Sequence, residues 1–231
     1  QRDLKKISKI GADKHRKYFP NLAHFNPLDR IGSYYLGLFW ADGSVYSNGN
    51  HPDTFSIGLH VRDLDILRQL AHDLDLPQDI VKISTRIRKI KKYNYNSSIC
   101  RIKLQYPIFI NLLCNLGMKP GPKYKRHVPH TPFFFDFLRG FLDGDGSIST
   151  KYKNKQHSML IQFAITYKSF GEELRQIITQ NKLKIYGPYK LKSIWVLSCS
   201  YLAARQLASK IWSNPIRRIQ RKYERYLKYS C

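Results

Sequence analysis

Two stretches, Tyr34-Tyr-Leu-Gly-Leu-Phe-Trp-Ala-Asp-Gly-Ser-Val45 and Phe137-Leu-Arg-Gly-Phe-Leu-Asp-Gly-Asp-Gly-Ser-Ile148, share one plan, an apolar helical run that ends in Asp-Gly-Ser. Aligned, Gly37 falls on Gly140, Asp42 on Asp145, and Gly43-Ser44 on Gly146-Ser147. The copies lie 103 residues apart (145 minus 42), a little under half of the 231-residue chain, so an internal repeat is the first thing to read. Gly37 and Ala41 are four apart, as are Gly140 and Gly144. Small residues at that spacing share one helix face and let a partner backbone come close. The simplest partner is the other copy. Two helices crossing there bring their C-terminal ends together, and with them Asp42 and Asp145.

The segments downstream of the two copies are also alike. Phe55 to Arg62 and Met159 to Thr166 alternate apolar and polar residues, the period of a half-buried strand. Asp63 to Leu74 and Lys168 to Gln180 then carry a helical apolar stripe. A second strand pair comes next in each half, Ile80 to Ile90 with Ser97 to Gln105, and Lys184 to Leu191 with Ser193 to Cys199. Helices around Pro107 to Leu116 and Tyr201 to Trp212 close the halves. The expected fold is α+β, two pseudo-symmetric αββαββα repeats. Its parts are a basic N-terminal extension (1–29), a first repeat (30–116), a proline-rich linker (117–131), a second repeat (132–213) and a basic C-terminal helix (214–231). Thr131-Pro132 suits the start of the second motif helix, with Thr as N-cap.

A carboxylate at a helix C-terminus faces the negative end of the dipole, which costs roughly 0.3–1 kcal/mol. Two carboxylates brought together add repulsion, and local rules tend to be broken at functional sites. A divalent cation removes both penalties. Mg²⁺ is typically held by one or two carboxylates with water and phosphate oxygens, and a pair of such ions serves phosphodiester hydrolysis. The plainer alternative is a helix-ending turn with Gly43 and Gly146 at the C′ position, an alternative that two copies in matching contexts weaken. A calcium loop beginning at Asp143 fails, because its twelfth residue is Asn154 and not Glu.

The doubled motif, Tyr35 to Gly43 and Leu138 to Gly146, resembles that of the LAGLIDADG homing endonucleases in their single-chain form. The second copy is the closer match, and the first has Trp40 where the family usually carries an acid. The resemblance covers about residues 30 to 213. It implies motif helices packed at the repeat interface through Gly37, Ala41, Gly140 and Gly144, and two saddle-shaped antiparallel sheets laid on DNA. It also implies Asp42 and Asp145 as the catalytic acids, with Ala41 and Gly144 beside them at the metals. The metals are two or three Mg²⁺, for which Mn²⁺ or Ca²⁺ substitutes in binding. The activity implied is double-strand cleavage that leaves short 3′ overhangs. Basic residues near the metals polarise the scissile phosphate in this family, and Lys103 and Arg62 in the first half and Lys192 in the second are the candidates.

The strand patterns supply a DNA-facing surface of their own. In Ile80 to Ile90 the apolar set is Val81, Ile83 and Ile87, and the opposite face is Lys82, Ser84, Arg86 and Arg88. In the next strand Cys100, Ile102 and Leu104 oppose Arg101, Lys103 and Gln105. His60 and Arg62 take the polar face of the earlier strand, and Gln162 and Thr166 that of its counterpart. A two-stranded ribbon fits the major groove, where Arg reads guanine and Gln reads adenine. Lys89, Lys91 and Lys92 in the first half and Lys151, Lys153 and Lys155 in the second are read as hairpin-tip contacts to the DNA backbone. Lys190 and Lys192 lie near the later strands of the second half.

Composition points the same way. There are 40 Lys+Arg against 16 Asp+Glu, a formal charge of +24, which selects polyanions as partners. The basic residues are spread over the chain rather than along one amphipathic helix, which argues against a membrane-surface role. Cys100, Cys114, Cys199 and Cys231 form no Cys-x-x-Cys pair, so they read as reduced thiols of an intracellular protein rather than a zinc site. The compartments that fit are an organelle (mitochondrion or chloroplast) and a bacterial or phage-infected cytoplasm. The partner expected is double-stranded DNA bound by a monomer, with an intron-RNA-binding maturase on the same scaffold as the alternative.

Overall fold

The computed structural model describes residues 20–22, 25–47, 52–90, 93–121, 126–153 and 156–230. The first repeat runs α1 (Arg30–Asp42), β1 (Gly43–Ser47), β2 (Pro52–His60), α2 (Leu64–Asp73), β3 (Lys82–Ile90), β4 (Tyr93–Leu104) and α3 (Pro107–Asn115). The second runs α4 (Phe134–Asp145), β5 (Gly146–Lys153), β6 (Gln156–Ile165), α5 (Lys168–Gln180), β7 (Tyr186–Leu191), β8 (Ile194–Ser200) and α6 (Tyr201–Ile211), and α7 (Gln220–Ser230) ends the described chain. Each repeat is thus αββαββα, and each sheet is antiparallel with the same order, β1-β2-β4-β3 and β5-β6-β8-β7.

The motif helices are almost wholly buried, from Gly32 to Ala41 in α1 and from Asp136 to Asp143 in α4. They meet at their glycines. A Cβ on Gly37 would lie 1.9 Å from the Phe137 carbonyl oxygen, and a Cβ on Gly140 would lie 1.9 Å from that of Tyr34. Phe137 and Tyr34 occupy matching motif positions, so the crossing is symmetric down to the atoms in contact. The sheets cover the rest of the core with alternate residues of their strands. Phe55, Ile57 and Leu59 of β2 face inward with Cys100, Ile102 and Leu104 of β4, while Ile161 and Phe163 of β6 face inward with Leu197 and Cys199 of β8.

Three expectations change. Ile83 belongs by register to the inward row with Cys100 but is 52% exposed, because β3 is the edge strand and no helix among the described residues covers it. The second motif helix begins at Phe134 rather than at Pro132. Thr131 does not cap it; its hydroxyl oxygen accepts the Phe133 amide at 3.1 Å and meets the Ser33 hydroxyl across the repeat boundary. The C-terminal helix begins at Gln220 rather than near Pro215, and it is no loose basic appendage. Arg217 pairs with Asp73, and Arg221 with Asp63, both of the first repeat. The Ile219 amide and Lys222 bind α4 of the second repeat. The segment 217–222 therefore straps the two repeats together.

Overpacking a tight interface costs about 1–3 kcal/mol. Gly37→Ala and Gly140→Ala should each lower the urea midpoint by that stability with an unchanged m-value. Wild-type midpoints in both would show that the helices do not meet at these glycines.

Candidate functional site

Each motif helix ends on its acid, and the chain leaves it extended. Gly43 has φ −81° and ψ 153°, and Gly146 has φ −105° and ψ 167°. A left-handed C′ turn is therefore not what the glycines provide; helix passes directly into strand at Asp42-Gly43 and at Asp145-Gly146. Both acids are half-buried at the seam. Each reaches toward the other repeat. A Cβ on Gly144 would lie 2.5 Å from Asp42 Oδ2 and 2.4 Å from the Ala41 Cβ, so only a glycine there admits the Asp42 carboxylate beside α4. Asp145 in turn lines a cleft with Trp40 of α1, Arg126 and Thr166.

Among the described residues no three His, Cys, Asp or Glu side chains cluster as a metal cage. The seam offers two carboxylates on two helix C-termini, with the carbonyls of Ala41 and Gly144 beside them. This oxygen-only set suits a hard cation that completes its shell with water and phosphate oxygens, as Mg²⁺ does. Softer metals favour thiolate and imidazole ligands.

Two buried cations sit behind the acids. Lys222 is 4% exposed, and its ammonium donates to the carbonyls of Leu142 (2.7 Å), Asp143 (2.6 Å), Gly146 (2.7 Å) and, more weakly, Gly144 (3.4 Å). Arg126 is 6% exposed, and its Nη1 donates to the carbonyls of Trp40 (3.4 Å) and Gly43 (3.3 Å). Trp40 and Asp143 are matching motif positions, as are Gly43 and Gly146. Burial pushes Arg126 down to about 10. Burial pushes Lys222 down to about 8, against Asp143 and Asp42, which hold its proton. Burial raises the Asp143 carboxyl to about 6, although Lys222, the Ile219 amide and the Tyr34 hydroxyl all act to lower it. Sequence reasoning missed both cations, since each is one basic residue in an already basic segment.

The register fixes which strand residues share the outer face. In the first sheet Lys103 pairs with Ser56, and Ser56 with Ser44, two residues beyond Asp42. Arg101 pairs with Gly58 and with Lys82, and its Nε would lie 3.3 Å from a Cβ on Gly58, so the guanidinium crosses the face there. Ser84 and His60 both pair with Ile99 in the next outer row, and Gln105 lies past the strand end beside Thr54, to whose hydroxyl it donates at 3.4 Å. Arg86, Arg88 and Lys89 have backbones in β3 and Lys153 in β5, but their side chains lie outside those described, as do Lys91, Lys92 and Lys155 altogether. Lys151 is exposed opposite Ser158, and Gln162 lies between Ser147 and Ser198 on the outer face of the second sheet.

Four candidates fall elsewhere. Arg62 is past the end of β2, in the 3-10 turn Val61–Asp63, where its amide donates to His60 Nδ1. Thr166 is past the end of β6, beside the cleft at Asp145. The register of β7 on β8 slips between Tyr186 and Tyr189, which puts Lys190 opposite Trp195. Trp195 pairs with buried Ile165, so Lys190 belongs to the helix side of the sheet and not to its outer face. Lys192 sits in the two-residue turn between β7 and β8 with φ 56°. The position that matches Lys103 in the second repeat is Ser198, reached from Ser147 through Gln162 as Lys103 is from Ser44 through Ser56. The second outer face is accordingly different in kind. Tyr186, Tyr189, Leu191 and Ile194 stand exposed along it, and the Tyr189 hydroxyl donates to Ser198.

Residues 133–186 match the model of the LAGLIDADG-like domain. Among solved structures, the chain is similar to the homing endonuclease I-WcaI bound to its DNA recognition sequence (TM-score 0.59, 12% identity, 86% of this chain and 87% of that one). It is also similar to the meganuclease I-SmaMI bound to uncleavable DNA (TM-score 0.55, 13% identity, 88% and 89%). A third is the LAGLIDADG meganuclease I-AabMI bound to uncleaved DNA (TM-score 0.54, 11% identity, 89% and 90%). A search among curated proteins gives no significant match. The chain has the two-repeat fold of the LAGLIDADG homing endonucleases, and its second repeat carries the LAGLIDADG-like domain.

Proposed function

We propose that this chain is a site-specific homing endonuclease. As a monomer it lays both sheets along one long asymmetric DNA duplex and hydrolyses both strands, leaving short 3′ overhangs. The observation that carries this reading is the seam itself, where each repeat ends its motif helix on an acid and Asp42 of one lies against Gly144 of the other, at the start of two like-ordered sheets. The net charge of +24 and the basic outer face of the first sheet support it, as do the complexes of I-WcaI and I-AabMI with DNA.

In this reading Asp42 and Asp145, with the carbonyls of Ala41 and Gly144, bind Mg²⁺. The bound metal supplies an activated water and charge stabilisation at the leaving oxygen. The outer faces hold the duplex so that one scissile phosphate lies over each half of the seam. Lys103 projects from the row next to Asp42 and offers a cation to the developing phosphorane charge in the first half. Ser198 offers only a hydroxyl in the second.

Asp42→Asn and Asp145→Asn should each abolish double-strand cleavage in Mg²⁺ while leaving DNA affinity in Ca²⁺ within about threefold, since the basic sheet still binds phosphate. Wild-type turnover by the double Asn variant, or by the wild type in EDTA, would sink the assignment.

Lys103→Ala should slow cleavage by roughly a hundredfold, the usual cost of one transition-state donor. Lys192→Ala should leave the rate unchanged. Equal losses in both variants, measured in single-turnover cleavage, would return Lys192 to the site.

The halves should also read bases by different chemistry. Arg101→Ala is expected to relax base preference in the first half-site alone, by about 1–3 kcal/mol for a bidentate guanine contact. The row Tyr189, Leu191 and Ile194 suits thymine methyl groups. Replacing thymine by deoxyuridine should therefore weaken binding through the second half-site and not through the first. A symmetric response to either change would show that the outer faces do not read the bases in this way.

A further inference from the structure

Among the described residues the repeats touch mainly where α1 crosses α4 at Gly37 and Gly140. A crossing held at one close point is a pivot, because the helices can turn about the line that joins their axes and keep that contact. Packed helices scatter by about 15° around their preferred angles. Over a lever of about 20 Å, the length of one strand, such a turn displaces a sheet by about 5 Å, more than the base-pair rise of about 3.4 Å. Two sheets that are to stay in register on one duplex therefore need the angle fixed away from the crossing.

Two segments supply such ties, and they correspond. Each repeat hands the chain that follows it to the middle helix of the other. After the first repeat, the His127 carbonyl accepts the Trp40 indole N–H at 2.9 Å, and the Val128 amide and the His127 ring meet Glu173 of α5. After the second, the Ile219 amide donates to Asp143 at 2.7 Å, and Arg217 and Arg221 reach Asp73 at the end of α2 and Asp63 just before its start. Trp40 and Asp143 are matching motif positions. The first tie lies in the connection between the repeats. The second does not, and its position depends on non-covalent contacts alone.

The second tie has the geometry of a brace. Arg217 meets Asp73 through Nε at 2.7 Å and Nη2 at 2.8 Å, and Arg221 meets Asp63 through the same two atoms at 2.7 Å each. Such two-point pairs fix direction as well as distance. The Asp73 carboxylate also accepts the Tyr35 hydroxyl of α1 at 2.6 Å, while the Arg217 carbonyl accepts Arg139 Nε of α4 at 2.8 Å. Residue 217 thus connects one motif helix to the other by a path that avoids their glycines. We propose that Arg217 and Arg221 are positioning residues that determine specificity for spacing: they fix the angle between the two sheets, and with it the number of base pairs accepted between the two half-sites. Half-site spacing follows from the geometry that holds two reading elements together. The consequence for DNA rests on the nuclease reading; the fixed angle does not.

The variant that tests this combines Arg217→Gln and Arg221→Gln with Asp63→Asn and Asp73→Asn, which removes the charges and keeps the approximate shapes. Spin labels on keto amino acids at the positions of Lys82 and Lys190, one on each edge strand, report the angle in the full chain without DNA. The distance distribution should be narrow in the wild type and broader by about 5 Å in the variant. A duplex selected by the wild type from a random library in Ca²⁺ is then altered by one base pair inserted or removed at its centre. The affinity lost on the altered duplex should be about tenfold smaller for the variant than for the wild type, the scale of coupling between two sites. Base preference within each half-site should stay as in the wild type. A role in stability alone would weaken binding to every duplex alike and leave the spacing penalty whole. An unchanged distance distribution, or an unchanged penalty, would overturn the proposal. Should the combined variant not fold, Arg221→Gln with Asp63→Asn is read by the same criteria. A wild type that binds no duplex would end the nuclease reading, and the label distances would still decide whether the pairs fix the angle.

Discussion

The backbone contact of α1 with α4 at Gly37 and Gly140 governs the rest of the structure. Neither position has room for a methyl group, because the facing carbonyl oxygen already occupies the place where a Cβ would stand. Two helices this close share one axis of pseudo-symmetry, and whatever ends one of them lies beside whatever ends the other. The acids are the last residues of both helices, so the approach of Asp42 to the end of the other motif helix results from the glycines rather than from any attraction between the acids. Two carboxylates and two negative dipole ends in one place are electrostatically unfavourable. The fold answers this with buried cations from outside the repeats.

Those cations explain why the C-terminal segment is part of the molecule's framework. Its salt bridges reach Asp63 and Asp73 in the first repeat, while Lys222 and the Ile219 amide reach α4 in the second. The core also buries Arg139, whose charge is met by Asp136 and by the carbonyls of Ile211 and Arg217. Buried charge is tolerated here because each group has several partners; losing one partner of such a set leaves an uncompensated charge.

The symmetry stops at the sheets. Their strand order is the same and their inward faces are equivalent, but their outer faces differ in chemistry. One presents Lys82, Arg101 and Lys103, and the other presents hydroxyls near the seam with tyrosine, leucine and isoleucine beyond. Inward positions are held alike by the shared packing, whereas outward positions are free to diverge with whatever they contact.

Much of this is legible in the chain. The doubled Asp-Gly-Ser motif, the small residues at four-residue spacing and the period-two strands determine the repeat, the element order and the crossing that sets Asp42 against Gly144 of the other motif helix, because each is a local pattern with one geometric consequence. Single basic residues carry no such pattern. By sequence alone Lys190 and Lys192 are candidates like Lys103, but a slip of register between Tyr186 and Tyr189 turns Lys190 to the helix side of the sheet, Lys192 falls in the turn, and the regular pairing of Gln162 with Ser198 puts a serine in the matching row. A one-residue slip exchanges the two faces of a strand, and nothing in the alternation of an exposed edge strand reveals it. Ile83 departs from its pattern for a related reason, since alternation says which side a residue faces but not whether a helix covers that side. Arg126 and Lys222 are hidden most completely. Their role depends on carbonyls more than seventy residues away in sequence, and only the folding of the chain back upon its own helix ends brings the two together.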